Sequence, residues 1–147
     1  MECQKNTIEK KGAYVILYKI TNKKLNYLIL KRAEDWIGWE LLKGRVKKEE
    51  TFSETAKREV LEEVGLNIEI IKSNETNVFY SKKDNVNKRH LMKVFFGKVE
   101  TNKIILSEEH SDFRWVKLNK AINLLAFDDL KKMIEKVNEE IIKYENL

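Results

Sequence analysis

The sequence predicts an α+β fold, with helices packed on a sheet built from hairpins. Three observations carry this expectation. Runs of β-branched and aromatic residues alternate with polar turns early in the chain, an amphipathic helix signalled at both ends lies in the middle, and a long helical stripe closes the sequence. At 147 residues the chain fits one domain spanning 1–147, long enough to bury a sizeable core.

Taken in order, residues 1–8 are expected to form a frayed leader. "GAYVILYKI" (12–20) and "NYLILKR" (26–32) are strands joined by the turn-forming "TNKK". "AEDWIGWELLKG" is read as a loop that carries Trp36 and Trp39 and ends at Gly44, a residue free to take conformations closed to others. Thr51 followed by Glu54 makes a capping box and Gly65 a stop, which predicts a helix over 52–64. "NIEIIKSNETNVFY" (67–80) and "HLMKVFFGKV" (90–99) are expected as strands flanking a polar loop, "SKKDNVNKR". A short strand follows at 112–118. The tail from "NKAINLLAF" onward is helical, with Leu130, Met133, Ile134, Val137, Ile141 and Ile142 building one apolar stripe.

Composition narrows the function. Hydrophobic residues make up 42% and charged residues 36%, a globular balance. The start, "MECQKNTIEKK", lacks the apolar segment of a signal peptide, and no run approaches the ~20 apolar residues of a membrane span. The expected location is therefore the cytoplasm, with no membrane partner. Cys3 is the single cysteine, so neither an internal disulfide nor a thiolate metal cage can form. Any metal must be held by oxygen or by the two histidines. A net charge of +5 suits a polyanionic partner, although the cations are scattered and equally serve solubility.

The central helix places its acids oddly. With Phe52 at zero on a wheel of ~100° per residue, Ala56, Val60 and Val64 fall near ~40°, ~80° and ~120° and form the core stripe. Glu63 lands near ~20°, Glu59 near ~340° and Glu62 near ~280°, so two of the three carboxylates lie beside or within that stripe. They also crowd the negative end of the helix dipole, at ~0.3–1 kcal/mol each. Two like charges ~4 Å apart repel by about 4 kcal/mol at an effective dielectric of 20. Arg58 and Lys57 offset part of this, and a bound divalent cation offsets it better. Hard oxygen ligands without thiolates point to magnesium, with manganese as the alternative.

The spacing is specific. Gly44, Glu50, Arg58, Glu59, Val60, Glu62, Glu63, Gly65 and Leu66 fill every fixed place of G-x5-E-x7-R-E-U-x-E-E-x-G-U, with U aliphatic. Chance occupation of the seven non-aliphatic places is on the order of one in a million. The stretch resembles the Nudix box. What that resemblance implies is an α/β/α sandwich with a mixed β-sheet packed between helices, which hydrolyses a pyrophosphate linkage in a nucleoside diphosphate compound. It also implies that Glu59, Glu62 and Glu63 hold divalent metal, with Glu50 as an auxiliary ligand and Arg58 orienting the carboxylates. Water attacks one phosphorus in line; Glu59 is one candidate for the base, and the later "SEEH" offers Glu108 and Glu109, Glu109 also being a candidate metal ligand.

Beyond the box the chain is most similar to asymmetric diadenosine tetraphosphate hydrolases. Their W-x-x-P-K-G-H run stands here as "WELLKGR", which keeps Trp39, Lys43 and Gly44 but has Leu42 and Arg45 in place of Pro and His. "LSEEHSDFRW" matches their L-S-x-E-H-x-x-[YF]-R-W segment at Glu109, His110, Arg114 and Trp115. The resemblance implies substrate contacts at Lys43, Gly44 and Arg45, and adenine stacking on Tyr80 and Phe127, two aromatics that core packing explains equally well. Lys82, Lys83, Lys88 and Arg89 either meet a long polyphosphate or are solvated loop charge. His90 is expected to be a plain strand residue. An RNA 5′-pyrophosphohydrolase is the enzymatic alternative, and a nucleotide- or RNA-binding module the non-enzymatic one. Proline downstream of the box, common in ADP-ribose hydrolases of this family, is absent. The protein is expected to act as a monomer.

Overall fold

Strand β1 (Thr7–Thr21) is the spine of a seven-stranded mixed sheet in the computed structural model, which describes residues 7–147. Cys3 and most of the expected leader lie outside the described residues. Thr7 and Ile8, assigned to that leader from the sequence, instead open β1 and pair with Asn87 and Lys88. A ladder of backbone hydrogen bonds recruits them whatever their side chains, since each paired N–H and C=O is satisfied.

The remaining elements are β2 (Lys24–Arg32), β3 (Gly38–Glu40), β4 (Leu42–Arg45), α1 (Phe52–Val64), β5 (Ile71–Lys83), β6 (Val86–Lys98), β7 (His110–Val116), α2 (Leu118–Leu124) and α3 (Asp128–Glu145). The main path runs β3-β2-β1-β6-β5, with β4 on β1 and β7 on β2. Only the β1–β6 pairing is parallel among the described strands.

Both hairpins turn on two left-handed residues, Asn22–Lys23 (φ 52° and 63°) and Asp84–Asn85 (φ 52° and 62°). Such turns match the right-handed twist of the flanking strands. The second corrects the expectation of a polar loop over 81–89. Strands β5 and β6 run on to Lys83 and Val86, because asparagine and aspartate tolerate the left-handed region and the ladder does not depend on side-chain polarity. The expected loop over 33–44 likewise contains two short strands, β3 and β4, which satisfy their backbone against β2 and β1.

Alternation along β1 divides the core. Ala13, Val15 and Leu17 face α1 together with Leu28, Leu42 and Phe95. Tyr14, Ile16 and Tyr18 face α2 and α3 with Tyr27, Met92 and Phe96. The result is a helix–sheet–helix sandwich. Helix α1 begins and ends as its residues dictate: Glu54 N–H donates to Thr51 Oγ1 at 3.1 Å, Thr51 N–H donates to Glu54 Oε1 at 3.0 Å, and Gly65 closes it at φ 73°. The C-terminal tail is two helices. Their break lies where Ala126 N–H donates to Trp39 O at 3.2 Å, a bond that ties the junction to β3. Of the expected stripe on α3, Leu130, Met133, Ile134, Val137 and Ile141 are buried, whereas Ile142 is 37% exposed.

Candidate active site

Arg58 organises the acids of the box. Its Nε–H donates to Glu50 Oε2 (2.7 Å), Nη1 to Glu59 Oε1 (2.7 Å) and Glu62 Oε2 (3.1 Å), and Nη2 to Glu50 Oε1 (2.9 Å) and the Arg45 carbonyl (2.8 Å). All five guanidinium donors are used, so one planar fork binds three carboxylates of the helix and its approach to the backbone of β4. Hydrogen bonds from Arg58 first, then Thr55 and the Lys47 backbone, outweigh the opposing effect of burial and hold the Glu50 carboxyl down at about 2. Glu50 Oε1 accepts from Thr55, Arg58 and the Lys47 N–H, and Oε2 from Arg58.

Gly44 is explained by what lies over it. A Cβ there would sit 2.0 Å from Cδ and 2.1 Å from Cγ of Glu59. Its backbone is ordinary strand, with Gly65 the one glycine at positive φ among the described residues, so the conformational freedom expected of Gly44 is not the reason for it. The glycine makes room for the buried Glu59 side chain. Burial pushes the Glu59 carboxyl up against the pull of Arg58, and Glu63 and Glu62 add to the rise.

Glu63 is held from the other side. Backbone bonds from Ile105 N–H to Val64 O (3.0 Å) and from Ser107 N–H to Glu63 O (3.1 Å) stitch the loop before β7 onto the carbonyl end of α1. That loop carries Ser107, whose hydroxyl donates to Glu63 Oε2 at 2.7 Å, and leads into His110, whose Nδ1–H donates to the same oxygen at 3.1 Å. Nε2–H of His110 donates to Glu40 Oε2 at 2.7 Å. Burial disfavours a charged ring, but the flanking Glu40 and Glu63 carboxylates outweigh it and raise His110 to about 9. Burial likewise lifts Glu63, and the bonds from His110 and Ser107 overcome it to leave that carboxyl below its ordinary value.

Glu40 was not identified from the sequence. A lone acid inside "WELLKG" gives no signal, since only pairing with residues 70 positions away marks it. Of the later acids, Glu109 lies beside Glu63 and is pushed up by burial and then by Glu63's charge. Glu108 is exposed.

A cleft of about 560 Å³ opens over these groups, lined among others by Lys10, Arg32, Lys43, Arg45, Glu59 and Glu109. Glu62, Glu63 and Arg58 are not among its lining residues. Lys43, Gly44 and Arg45 are where the sequence places them, at the cleft. Tyr80 is not: strand alternation directs Phe79 and Ser81 into the cleft and leaves Tyr80 on the opposite face, 70% exposed. Phe79 stacks on His90 with centroids 4.3 Å apart and planes 5° from parallel, so the histidine assigned no duty also lines the cleft. Lys82 and Lys83 are exposed near the tip of the hairpin, Lys88 is half-buried and Arg89 pairs with Glu9 at 2.9 Å; none of the four lines the cleft. Phe127 is 51% exposed and meets Trp36 edge-on at 5.3 Å, also outside it.

The donor set fits a hard divalent cation. Glu59 and Glu63 are 8% and 5% exposed, and an oxygen of Glu63 lies within 4.8 Å of one of Glu109; His110, with both ring nitrogens donating, is not a ligand. No described N–H or hydroxyl donates to Oε1 of Glu63, which leaves that oxygen available.

A sheet between helices, with a box of glutamates beside a cation-rimmed cleft, defines the class of protein, and the NUDIX domain matches residues 10–137. The chain belongs to the NUDIX family of hydrolases. Among its relatives, the rat asymmetrical bis(5′-nucleosyl)-tetraphosphatase is 28% identical over 124 residues, covering 82% of this chain and 83% of its own. The dihydroneopterin triphosphate diphosphatase of Haemophilus influenzae is 32% identical over 136 residues, covering 83% and 82%. In structure the chain is similar to a NUDIX hydrolase from Listeria monocytogenes (TM-score 0.76, 27% identity, 90% of this chain and 94% of that one). A C. elegans Ap4A hydrolase in a binary complex shares the fold at TM-score 0.75 and 19% identity, covering 91% and 98%.

Proposed function

We propose that this NUDIX hydrolase cleaves diadenosine tetraphosphate to ATP and AMP, with magnesium or manganese held by Glu59, Glu62, Glu63 and Glu109. The observation that supports this reading is that the buried helix carboxylate Glu59, with Glu63 close enough to raise it, lines a cleft rimmed by Lys10, Arg32, Lys43 and Arg45. A polyphosphate bridge carries the charge such a rim recognises. A bound divalent cation supplies neutralisation of the bridge oxygens and a more acidic water.

The chain's own residues do the rest. Lys43 and Arg45 meet phosphate oxygens from β4, and Phe79 offers a ring for a base to lie near. Arg58 keeps Glu59 and Glu62 together. As water's oxygen bonds to one phosphorus, the bond from that phosphorus to the departing nucleotide's bridging oxygen breaks. Glu59 and Glu109 both line the cleft and both are raised by burial, so either carboxylate suits the proton that water releases. We place the activity in a cytoplasmic monomer.

Product analysis with magnesium tests the reading across diadenosine polyphosphates, dihydroneopterin triphosphate, ADP-ribose, oxidised nucleotides and 5′-triphosphate RNA. ATP and AMP in equal amounts from the tetraphosphate are expected at the highest kcat/KM of the panel. Intact ligand throughout would instead mark a binding module. A second reading, hydrolysis at RNA 5′ ends, draws on one observation: a smaller hollow of about 290 Å³ shares Lys10, Lys11 and Arg45 with the cleft and extends it past Lys47 and Lys48. None of these cations is in an ion pair among the described residues, so a longer anion has a path there.

A further inference from the structure

The sequence pattern places metal-binding duty on α1 but says nothing of what fixes Glu63, whose side chain leaves the helix in its last turn. In the structure one of its oxygens, Oε2, takes both available donors, Ser107 Oγ and His110 Nδ1. A carboxylate so pinned cannot exchange its two oxygens by rotating about its last torsion, a motion that is broad and roughly two-fold in a free glutamate. His110 in turn is fixed at its far nitrogen by Glu40, and Glu40 receives Arg32 Nη1 at 3.3 Å. Glu40 and His110 are 2% and 7% exposed, and neither lines the cleft. The succession Arg32, Glu40, His110, Glu63 therefore ties β2, β3 and β7 to the helix through side chains alone.

We infer that Glu40 and His110 are positioning residues that hold the Glu63 carboxylate in the one orientation presenting Oε1 to the cation. A buried acid and a buried histidine are costly to place away from solvent. Satisfying each other would explain their pairing, but not why the ring's second nitrogen is spent on an oxygen of Glu63. Partners of this kind set the orientation of a ligating side chain, and their removal weakens metal affinity by ~10–100-fold. The inference rests on the proposal that Glu63 binds the cation.

Calorimetric titration of the full chain with Mn²⁺ alone separates this role from packing. His110→Gln keeps a donor toward Glu40 and lacks one toward Glu63, whereas His110→Asn keeps a donor toward Glu63 and lacks one toward Glu40. The expected result is Mn²⁺ binding about ten-fold weaker or worse in His110→Gln and a smaller loss in His110→Asn, which keeps the bond to Glu63 but not the anchor on Glu40. Glu40→Leu, which frees the ring, is expected to weaken binding as well. Thermal melting of the metal-free variants provides the second readout. If His110→Gln and His110→Asn bind Mn²⁺ equally well while differing from wild type only in melting temperature, the pair is structural and the inference is overturned. It is overturned too if wild type takes up no Mn²⁺. A wild type that binds Mn²⁺ yet cleaves no dinucleoside polyphosphate refutes the substrate proposal and leaves the positioning role standing.

Discussion

Replacing Gly44 by alanine puts one methyl group where the Glu59 side chain passes. The new Cβ would stand 2.0 Å from Cδ, 2.1 Å from Cγ and 2.3 Å from Oε1 of Glu59. To regain an ordinary carbon contact of ~3.5 Å the side chain must retreat by about 1.5 Å. That movement breaks the 2.7 Å bond from Arg58, a charge-assisted bond whose loss costs ~1.5–3 kcal/mol. Relaxation of the carboxylate limits the net stability loss to about 2 kcal/mol, the middle of the range for overpacking. In a chain of this length that corresponds to a fall in Tm of about 4–8 °C. The rate should suffer more, because misplacing a reacting group by ~1 Å costs about 100-fold. Steady-state hydrolysis under saturating magnesium, with thermal melts of the same preparations, measures both. Glu59→Asp, one methylene shorter, should absorb part of the stability loss when combined with Gly44→Ala, so the two changes are expected to be non-additive in melting. A Gly44→Ala protein within three-fold of wild-type kcat would refute the reasoning, since the geometry allows no undisturbed Glu59.

Phe79→Ala is expected to raise KM for an adenine-containing substrate by about ten-fold while Tyr80→Ala leaves it within two-fold, and kinetics on the pair decide which face of β5 meets the base. The Glu50 carboxyl, held at about 2 by Arg58, contributes stability that is complete above its ordinary value of 4.5 and is lost as pH falls toward 2. Urea melts of wild type and Glu50→Gln should therefore converge across that window; parallel curves would detach Glu50 from Arg58. Manganese at a hundred times its dissociation constant should stabilise wild type by ~2.7 kcal/mol and a Glu59→Gln, Glu63→Gln double variant by almost nothing, as read by Tm with and without chelator.

How much of this was legible in the sequence follows from where each signal lives. Helix α1 could be read to the residue because Thr51, Glu54 and Gly65 act on their own backbone within one turn. The glutamates beside its apolar stripe follow from the helical period alone. The extent of hairpin β5–β6 is not legible, because its tip is polar and its ladder bonds are made by backbone atoms, which leave no trace in residue type. That Phe79 and not Tyr80 lines the cleft has no signal in residue type, because adjacent aromatics in a strand point to opposite faces and which face holds the cleft depends on how the sheet is covered.

Local chemistry thus settled the box, its helix and the acid character of the site, since these depend on spacings of a few residues along one element. Tertiary structure alone decided that Gly44 makes room for Glu59, and that Glu40, 70 positions before His110, anchors the ring that holds Glu63. Those contacts exist only after β3, β4 and β7 have been brought to the end of α1, and a contact between distant segments is a property of packing and not of any stretch of chain.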